Sequence, residues 1–584
     1  MAVSEQRGAV MEERRVEPVP QKTSIAGRIL DLLAAEGIDT LFGIPDPGIQ
    51  AIFREAKDRG WTLVAPHHEA AGGFMADAWS RMTGKPAIIN GNQGPGVANL
   101  MPAAICASKE NVPVIFLAEQ RSRRLDSQVK RGKFQYTPQP RFFEAAMKYV
   151  GIIEFPQQVD EIFREAFRQA LSGKPGPVYI EYPEDHVNAE LEAAPVLQPE
   201  QYRLTRQLAD PDAVARAADL IAKAENPLIL AGTAINRARA HEAFLRLARQ
   251  IGCPVLTTPG GRGALPETDP QLLLYSGEAA DKAIEHADVV LAIGTSIGEQ
   301  MHSGSTHHWN RGKTDRKWIH LERDVANIGV NRLIDVPLVG DLRDVIPQLC
   351  ESLHRAGGRA PSKLLTEWRA GQQQFRHAMI AAAPETVPIH PGRMIAEVMR
   401  NLPDDTVHVM DGGCTSLWNL AYGEIRSNDS LGSAHFGMLG VGLPYAIGAQ
   451  LAVGDRRRVC LITGDSAFQF HIAELETAVR KKLPIVVIVN SDAAWGMEHP
   501  GFHEQFGPGK DVEVRWGTVR FDRIAEGFGA HGEYVDRTED IGPAVRRALA
   551  AGRPAVVQVA VDPEVNALQA PNWAEFVTWY GGFY

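Results

Sequence analysis

Short apolar runs alternate with longer amphipathic stretches along almost the whole chain. Runs such as "TLFGI", "AIIN" and "PVIFLA" have the length and composition of buried strands, and stretches such as "AAGGFMADAWSRMTG" between them have helical spacing. The alternation returns in "PLILAG", "CPVLTT", "VVLAIGT" and "KWIHLE", and again around "VCLIT" and "IVVIV". This order of strands and crossover helices predicts an α/β protein with three doubly wound parallel-sheet domains.

Interruptions of this alternation predict the domain boundaries. The connector "EAAPVLQPEQYRLTRQLADPD" interrupts it first, and the polar stretch "SKLLTEWRAGQQQFRHAMIAA" interrupts it later. We therefore predict domains at 23–190, 210–352 and 385–563. Residues 1–22 are charged and lack an apolar segment, which predicts a disordered tail rather than a signal peptide. The aromatic-rich segment 564–584 is predicted to pack against the body of the protein, with an active-site lid as the alternative.

Composition and charge narrow the classes of function. The 584-residue chain has a net charge of -10 and no basic block, which argues against a nucleic-acid partner. No apolar run approaches the roughly 20 residues that a membrane-spanning helix needs. Five cysteines without paired spacing argue against a disulfide framework and a zinc site, and favour a reducing compartment. We therefore expect a cytoplasmic globular protein without a membrane partner.

Two acidic residues follow two strands of the third predicted domain. Asp465 comes after "VCLIT", and Asp492 follows "IVVIV" 27 positions later. Ligands of parallel sheets bind at the carboxyl ends of the strands, where both acids are expected to lie. The segment "AELETAVRKK" predicts a helix that starts just after Asp465 and directs its free N–H groups to the same place. Such N–H groups favour phosphate, and two carboxylates favour a hard divalent cation. For either acid alone, a helix cap or a solvated turn is the alternative.

The spacing of these acids resembles a known magnesium motif. Residues 464–466 read Gly-Asp-Ser, residues 490–492 read Asn-Ser-Asp, and "DAAWGM" follows. This pattern resembles thiamine-diphosphate enzymes of the acetolactate synthase, oxalyl-CoA decarboxylase and 2-hydroxyacyl-CoA lyase group. The resemblance implies Asp465 and Asp492 as Mg²⁺ ligands, with the Ala494 carbonyl as the third. Serines replace a glycine and an asparagine of the family pattern, and the choice between positions 490 and 492 depends on the alignment.

The segment "HHEAAGGFMADAWSR" resembles the family segment that carries the glutamate beside the coenzyme's pyrimidine, and this implies that role for Glu69. Activation of the weakly acidic C2–H of the coenzyme needs a carboxylic acid that shares a proton with N1′. A glutamate at a helix start is, by itself, usually a cap. Downstream, the Gly94-Pro95-Gly96 turn and Asn99 match the family pattern, in which glycine permits close approach of the backbone.

Two further segments complete the implied coenzyme site. In "HFGMLGVGLPYAIGAQLA" the resemblance makes Leu439 an apolar wedge beneath the two rings and the Gly437 carbonyl an acceptor for the 4′-amino group. The segment "DGGCTSLW" stands where the family contacts the diphosphate. The implied coenzyme contacts are Glu69, Gly94, Pro95, Asn99, Gly413, Cys414, Thr415, Gly437, Leu439, Gly464, Asp465, Ser466, Ala467, Asp492, Ala494, Trp495, Gly496 and Met497.

The resemblance extends from about Thr23 to Pro563 and implies a thiamine-diphosphate- and Mg²⁺-dependent enzyme that acts on a small acyl-CoA or 2-oxo acid. Glu498 follows "AAWGM", where acetolactate synthases carry an apolar residue. A carboxylate there suits removal of a substrate hydroxyl proton, as cleavage of a 2-hydroxyacyl thioester requires. The alternative is that Glu498 points to solvent or pairs with His499 or Lys510.

The segment "FQYTPQ" resembles "FQEFPQ" of the 2-hydroxyacyl-CoA lyases and implies a loop that faces the coenzyme. An ordinary surface turn is the alternative. We predict a carbon–carbon lyase that cleaves a short 2-hydroxyacyl-CoA to a ketone or aldehyde plus formyl-CoA. Its candidate catalytic residues are Glu69, Glu498, Tyr136 and Gln135. An acetolactate synthase-like decarboxylase and carboligase, and a non-catalytic relative, stay open as alternatives.

The central domain of this group holds FAD, an ADP-like nucleotide or no ligand, and the sequence lacks a full glycine fingerprint that would decide between them. Arg311, Lys313 and Arg316 are candidate contacts for an ADP or CoA nucleotide, with a solvated basic loop as the alternative. The family divides each coenzyme between two subunits. The resemblance therefore implies a homodimer as the minimum, often paired into a homotetramer.

Overall fold

The computed structural model describes residues 21–125, 134–275, 277–304, 307–310, 312 and 315–580. Almost all of the predicted N-terminal tail, and the last four residues of the predicted C-terminal tail, lie outside these residues. Three six-stranded parallel sheets follow one another along the described chain, each flanked by helices. The predicted α/β class with three parallel-sheet domains is confirmed.

The N-terminal domain alternates strands and helices. Its elements are β1 (Gln21–Ser24), α1 (Ile25–Ala35), β2 (Thr40–Gly43), α2 (Gln50–Asp58), β3 (Thr62–Val64), α3 (Glu69–Thr83), β4 (Ala87–Gly91), α4 (Pro95–Glu110), β5 (Val114–Gln120), α5 (Gln139–Phe143), β6 (Tyr149–Ile152), α6 (Val159–Leu171), β7 (Val178–Pro183) and β8 (Glu190–Ala193). The sheet order is β3-β2-β4-β5-β7-β6, and β1 pairs with β8 as a separate antiparallel ribbon. The inner strands β4, β5 and β7 are buried throughout, as expected for a parallel sheet covered on both faces.

The central domain has the same architecture. Its elements are α7 (Pro211–Lys223), β9 (Pro227–Ala231), α8 (Ala234–Arg237), α9 (His241–Ile251), β10 (Val255–Thr257), β11 (Leu272–Leu273), α10 (Glu278–His286), β12 (Val289–Ile293), α11 (His307–Asn310), β13 (Lys317–Glu322), β14 (Val336–Val339) and α12 (Leu342–Arg355). The sheet order is β11-β10-β9-β12-β13-β14. The polar stretch that follows forms a single helix, α13 (Leu365–Ala382), which leads into the third domain.

The C-terminal domain carries the acidic motif. Its elements are α14 (Pro391–Asn401), β15 (Val407–Asp411), α15 (Gly413–Tyr422), β16 (Ser430–Leu431), α16 (Gly442–Val453), β17 (Val459–Gly464), α17 (Asp465–Gln469), α18 (Glu474–Arg480), β18 (Val486–Ser491), α19 (Glu498–Phe506), α20 (Phe521–Phe528), β19 (His531–Val535), α21 (Thr538–Ala550), β20 (Ala555–Ala560) and α22 (Trp573–Tyr580). The sheet order is β16-β15-β17-β18-β20-β19.

The N-terminal and C-terminal domains share one hydrophobic core, in which α3 packs along α16. Nearly every residue of α16 is buried, because the helix lies between its own sheet and the first domain. Gly448 permits the close contact, since a Cβ there would lie 2.1 Å from the carbonyl oxygen of Met75. In the part of the chain that the structure describes, no helix combines the length and apolarity needed to cross a bilayer.

One local prediction is wrong. The helix predicted over "AELETAVRKK" is present as α18, which begins at Glu474, but it does not start just after Asp465, because the short α17 and a turn lie between them. The turn contains His471, whose Nδ1 lies 2.8 Å from the Gly440 carbonyl and whose ring packs against Phe74. These tertiary contacts hold the turn between the two helices. The N–H groups next to Asp465 therefore belong to α17.

Candidate active site

The carboxyl ends of three neighbouring strands, β15, β17 and β18, converge at one edge of the C-terminal sheet. Asp465 follows β17, and its Oδ2 accepts hydrogen bonds from the Ala493 N–H (2.9 Å) and the Ser491 hydroxyl (3.3 Å). Asp492 follows β18, and its Oδ1 accepts from the N–H of Ala494 (3.2 Å). The fold thus brings together the two acids that the sequence places 27 positions apart.

The electrostatics of this pair favour a cation. Burial raises the pKa of Asp465, and burial together with the charge of Asp465 raises the pKa of Asp492. Two buried oxygen atoms at this edge are available to bind a cation. The Oδ1 atoms of Asp465 and Asn490 are buried and accept no hydrogen bond from the described residues. Carboxylate and carbonyl oxygens are the ligands that Mg²⁺ prefers, so this donor set fits that ion.

A cradle of small residues lies beside the acids. At Gly413 a Cβ would lie 2.6 Å from the side chain of Met497, and at Gly496 a Cβ would lie 2.8 Å from Oδ2 of Asp492 and 3.0 Å from Cβ of Cys414. Gly412, which precedes α15, adopts a φ of +93°. The loops after β15 and β18 therefore touch, and any larger side chain would separate them.

The first turn of α15 faces this cradle and is uncapped by any side chain. Among the described residues, the backbone N–H groups of Gly413, Cys414 and Thr415 find no acceptor. The Thr415 hydroxyl is different, because it accepts a hydrogen bond from the Asn490 amide (2.9 Å). A helix N-terminus with free N–H groups beside a cation site fits a diphosphate.

The other predicted contacts of this domain line the same edge. Gly464 ends β17, Ser466 and the buried Ala467 belong to α17, and Ala494 is buried in the loop after β18. Trp495 packs edge-on against Phe470 and Trp516, with ring centroids 6.2 and 5.9 Å away. The loop after β18 is therefore supported by aromatic packing.

The segment before α16 is held from two sides. Gly437 adopts a φ of +66°, an added Cβ there would meet nothing within 4 Å, and Leu439 is half-buried. The Asp411 carboxylate accepts hydrogen bonds from the N–H groups of Gly412 and Gly442, each 2.7 Å long, and burial raises the pKa of Asp411 to about 7. Through these two hydrogen bonds, Asp411 connects the segment predicted to contact the diphosphate, which begins at Gly412, to the start of α16 just after Leu439. The sequence assigns Asp411 no role, and its position at the end of β15 is the one local signal for it.

A second residue that sequence analysis missed, Glu110, holds the same segment from the N-terminal domain. Its Oε1 accepts from the N–H groups of His435 (2.7 Å) and Phe436 (3.1 Å). Its Oε2 pairs with Arg237 of the central domain at 2.7 Å, and Glu110 is fully buried. All three domains therefore meet at this carboxylate. Nothing in the local sequence identifies it.

Glu69 is the first residue of α3 and is 8% exposed. Its Oε2 accepts a hydrogen bond from Asn99 Nδ2 (3.0 Å), and a Cβ on Gly96 would lie 2.9 Å from Oε1. The glycine turn before α4 therefore leaves room for the carboxylate. The fold brings Glu69, the turn at 94–96 and Asn99 together, as the resemblance implies.

The loop 134–139 packs on this turn. Gly94 has a φ of +71°, and a Cβ there would lie 2.3 Å from the Gln135 carbonyl oxygen. Gln135, itself at a φ of +60°, and Tyr136 are half-buried beside it. The main polar link, however, is Gln139, which sequence analysis did not select. Its Oε1 accepts from the Gly94 N–H (2.6 Å), and its Nε2 donates to Glu181 (2.9 Å).

Glu498 begins α19, directly after the loop that carries Asp492. Its side chain is exposed in the single chain, and the surrounding protein atoms still raise its pKa through partial desolvation. His499 is buried between Asp511 (3.1 Å) and Arg515 (2.5 Å) instead of pairing with Glu498. In the single chain, the side chain of Glu498 is therefore open to solvent and lies at the rim of the site.

The candidate nucleotide contacts of the central domain do not form a cluster in the described residues. Arg311 and Lys313 lie outside those residues. Arg316 is buried, and its guanidinium donates to the backbone carbonyls of Ala287 (2.9 Å), Trp309 (2.5 Å) and Ile284. These backbone contacts use three of the five N–H donors of the guanidinium, and Arg316 as a nucleotide contact stays a prediction. An ADP or CoA nucleotide in this domain stays a prediction.

The aromatic C-terminal segment forms α22, which lies against the C-terminal domain. Trp573 and Phe576 stack with centroids 5.6 Å apart and pack on the domain's core. The helix also contacts the 3-10 turn Glu299–Gly304 of the central domain. A cleft of about 650 Å³ between Glu504, Trp573 and Val577 opens to solvent. Packing against the body of the protein is thus observed, and the lid stays a prediction.

Comparisons with known proteins agree with this geometry. Three family models match successive parts of the chain: the N-terminal TPP binding domain of the thiamine pyrophosphate enzymes at 23–147, their central domain at 214–349, and their C-terminal TPP binding domain at 411–559. The acetolactate synthase of Bacillus subtilis is 30% identical over 94% of this chain and 95% of its own length. An acetolactate synthase large subunit of Mycobacterium tuberculosis is 30% identical over 96% of this chain and 100% of its own length. A probable acetolactate synthase large subunit of Methanococcus aeolicus is 28% identical, with 94% of each chain covered.

Proposed function

The chain belongs to the thiamine pyrophosphate enzyme family, and from this premise we propose that it decarboxylates a 2-oxo acid and joins the product to a second carbonyl compound. One observation supports the use of thiamine diphosphate most directly. Asp465, Asp492 and the uncapped N-terminus of α15 lie together at one edge of the C-terminal sheet. The reaction type is supported by relatives named acetolactate synthases that match along 95% and 100% of their own length.

Each half of the site has a defined task in this proposal. Asp465, Asp492 and the Ala494 carbonyl would hold Mg²⁺, and the free N–H groups of the first turn of α15 would hold the diphosphate. Bound thiamine diphosphate supplies an acidic C2–H and accepts the electron pair released at the substrate's carbonyl carbon. Glu69 holds a proton for exchange with the pyrimidine nitrogen, and the amide of Asn99 orients its carboxylate.

The two halves are proposed to meet between two copies of the chain. Among the described residues, no polar contact joins Glu69 or Asn99 to Asp465 or Asp492. Phe470, beside the cation edge, is 54% exposed in the single chain, which suits burial by a second copy. A homodimer is the minimum assembly that this arrangement needs, and a homotetramer contains it twice.

A 2-hydroxyacyl-CoA lyase is the second candidate, and Glu498 is the observation that favours it. A carboxylate with a raised pKa at the rim of the site can take the proton of a substrate hydroxyl. A decarboxylase has no use for that base, and an anion there opposes binding of a substrate carboxylate. Glu498→Gln separates the two activities. We expect a large loss of hydroxyacyl-CoA cleavage with unchanged coenzyme binding, and a full cleavage rate would exclude this role.

One panel of substrates decides between the proposals. The purified protein is incubated with Mg²⁺ and thiamine diphosphate, together with pyruvate, other 2-oxo acids or short 2-hydroxyacyl-CoAs. Acetolactate-type products and CO₂ support the carboligase, whereas formyl-CoA or formate supports the lyase. Deuterium exchange at the coenzyme C2 tests the remaining alternative, a non-catalytic relative, which would fail to accelerate that exchange. Glu69→Gln is the matched inactive control.

A further inference from the structure

The C-terminal domain binds the backbone of residues 65–68 of the N-terminal domain, which lie just before Glu69. The backbone N–H groups of His67 and His68 both donate to Oε1 of Glu474, at 2.9 and 3.1 Å. Arg480, at the end of the same helix α18, donates to the Ala65 carbonyl at 2.7 Å. The residues between β3 and α3 are therefore held by one element of another domain.

Glu474 is built into this contact. It is 1% exposed, its Oε2 accepts a hydrogen bond from the Thr477 hydroxyl (2.7 Å), and burial raises its pKa. A buried carboxylate is stable only when its oxygens are hydrogen-bonded, and N–H groups that donate to a carboxylate make stronger bonds than those that donate to a neutral acceptor. Both oxygens of Glu474 are used, and two of the donors are consecutive peptide groups.

These peptide groups determine where α3 starts. His68 is the N-cap of α3, and its Nδ1 accepts the Ala70 N–H at 3.1 Å. Glu69 is the next residue along the chain, so a shift of the two peptides bound by Glu474 would move its carboxylate away from Asn99. Small displacements of a catalytic group are costly, because its orientation relative to the reacting atom sets the rate.

We propose that Glu474 is a positioning residue: its carboxylate, by fixing the peptide N–H groups of His67 and His68, aligns Glu69 for proton exchange with the coenzyme. The inference rests on the role proposed above for Glu69. It also links the two ends of the site, because Glu474 follows the cation ligand Asp465 by nine residues. In a dimer, that link would run from the diphosphate end of one site to the pyrimidine end of the other.

The test uses three variants of the contact and one matched control. Glu474→Met keeps the volume and removes both acceptors, and Glu474→Gln keeps an acceptor for the peptides. Thr477→Val removes the hydroxyl, which donates to Glu474 and accepts from Arg480 at 3.4 Å. Glu476→Gln is the control, because Glu476 lies on the same helix and, among the described residues, its carboxylate has polar contacts with the side chains of His67 and Arg480 but with no peptide N–H group.

The first measurement is amide hydrogen exchange in the coenzyme-free full-length protein. We expect exchange at residues 67 and 68 to become at least ten-fold faster in Glu474→Met and a few-fold faster in Thr477→Val. Glu474→Gln and Glu476→Gln should stay within about three-fold of the wild type, and peptides from α16 should not change in any variant. Unchanged protection in folded Glu474→Met would overturn the inference whatever reaction the protein catalyses. If that variant does not fold, unchanged protection in Thr477→Val would overturn it.

The second measurement is the rate of C2–H exchange of bound thiamine diphosphate. We expect at least a ten-fold loss in Glu474→Met, recovery in Glu474→Gln, and a coenzyme Kd within about three-fold of the wild type throughout. A loss confined to coenzyme affinity, or equal losses in Glu474→Gln and Glu474→Met, would overturn the positioning role. A wild type that fails to exchange C2–H would instead contradict the proposed function, and the amide measurement would still test the contact.

Discussion

At the scale of single residues, Asp465 and Asp492 are arranged to need a cation. Each carboxylate is desolvated, and the charge of one raises the pKa of the other. Without a cation this arrangement costs stability, since each unit of pKa shift corresponds to about 1.4 kcal/mol. The pair therefore favours binding of a divalent ion more strongly than either carboxylate would alone.

Replacing one of these acids should separate stability from coenzyme binding. We expect Asp492→Asn to raise the free energy of unfolding of the metal-free protein by about 1 kcal/mol, because the repulsion is removed. The same variant should lose Mg²⁺-dependent binding of thiamine diphosphate. Chemical unfolding with and without Mg²⁺, and titration calorimetry with the coenzyme, measure the two effects. A variant that binds the coenzyme normally in Mg²⁺ would contradict the assignment of Asp492 as a ligand.

A second residue-scale effect belongs to Glu119 at the end of β5. Its side chain is 1% exposed, and burial, followed by the charges of Asp46 and Glu184, raises its pKa from 4.5 to about 8. The folded protein therefore binds this proton more tightly than the unfolded chain does. Between those two pH values the folded state holds more protons, so its stability falls as the pH rises.

Glu119→Gln should remove this pH dependence. We expect the variant's gain in free energy of unfolding over the wild type to grow from pH 5 to about pH 8 and then level off, at up to about 1.4 kcal/mol per pH unit. Denaturant unfolding at a series of pH values measures the difference. Glu192→Gln, on the exposed ribbon strand β8, controls for the loss of one negative charge. A constant difference at all pH values would be inconsistent with a buried, protonated Glu119.

At the scale of elements, turns position the functional side chains more than helices do. The turn before α4 has no room for a side chain at position 94, because the Gln135 carbonyl lies against it. The loop 134–139 is in turn fixed by Gln139, which reaches both the Gly94 N–H and Glu181. The turn and the loop therefore form one unit, although 40 residues separate positions 94 and 134.

Gly94→Ala should break this unit. Position 94 combines a positive φ with a contact of 2.3 Å, so we expect a loss of stability of about 2–4 kcal/mol and weaker coenzyme binding. Gly60→Ala is the matched control, because Gly60 has a similar φ of +77° and a Cβ added there would meet nothing within 4 Å. Its cost should be about 1 kcal/mol. Equal losses in the two variants would show that the contact with Gln135 contributes nothing.

At the scale of the whole molecule, we propose that the site is completed between two copies of the chain. Glu69 lies in the first domain and Asp465 in the third, and each has its polar contacts within its own half. The shared core of the two domains fixes the halves relative to one another. Two copies related by a two-fold axis would then complete two equivalent sites.

Mixing two inactive variants tests this arrangement. Glu69→Gln and Asp465→Asn should each be inactive, because each removes one half of both sites. After the subunits are exchanged, a mixed dimer contains one site with neither substitution, so random pairing should restore about a quarter of the wild-type activity. The measurement is the turnover of the mixture against that of each variant alone. A mixture without activity, despite demonstrated subunit exchange, would place both residues in the same copy's site.

The sequence by itself determined the α/β class, the succession of three parallel sheets and the segments that carry the chemistry. It could do so because buried parallel strands are continuous apolar runs, and because residues such as Asp465 and Glu69 stand in motifs that resemble a known family. Apolar runs and short motifs can be recognised from residues that are neighbours in the sequence.

The tertiary structure alone decided which side chains complete the site. Gln139, Glu110 and Glu474 stand in unremarkable local sequences, and their importance comes from peptide groups that they reach in other segments or other domains. The separation of α18 from Asp465 by α17 and a turn has the same origin, since contacts of His471 with distant segments hold the turn. Long-range hydrogen bonds and close packing produce no periodic pattern in the sequence. For that reason, only the three-dimensional structure reveals them.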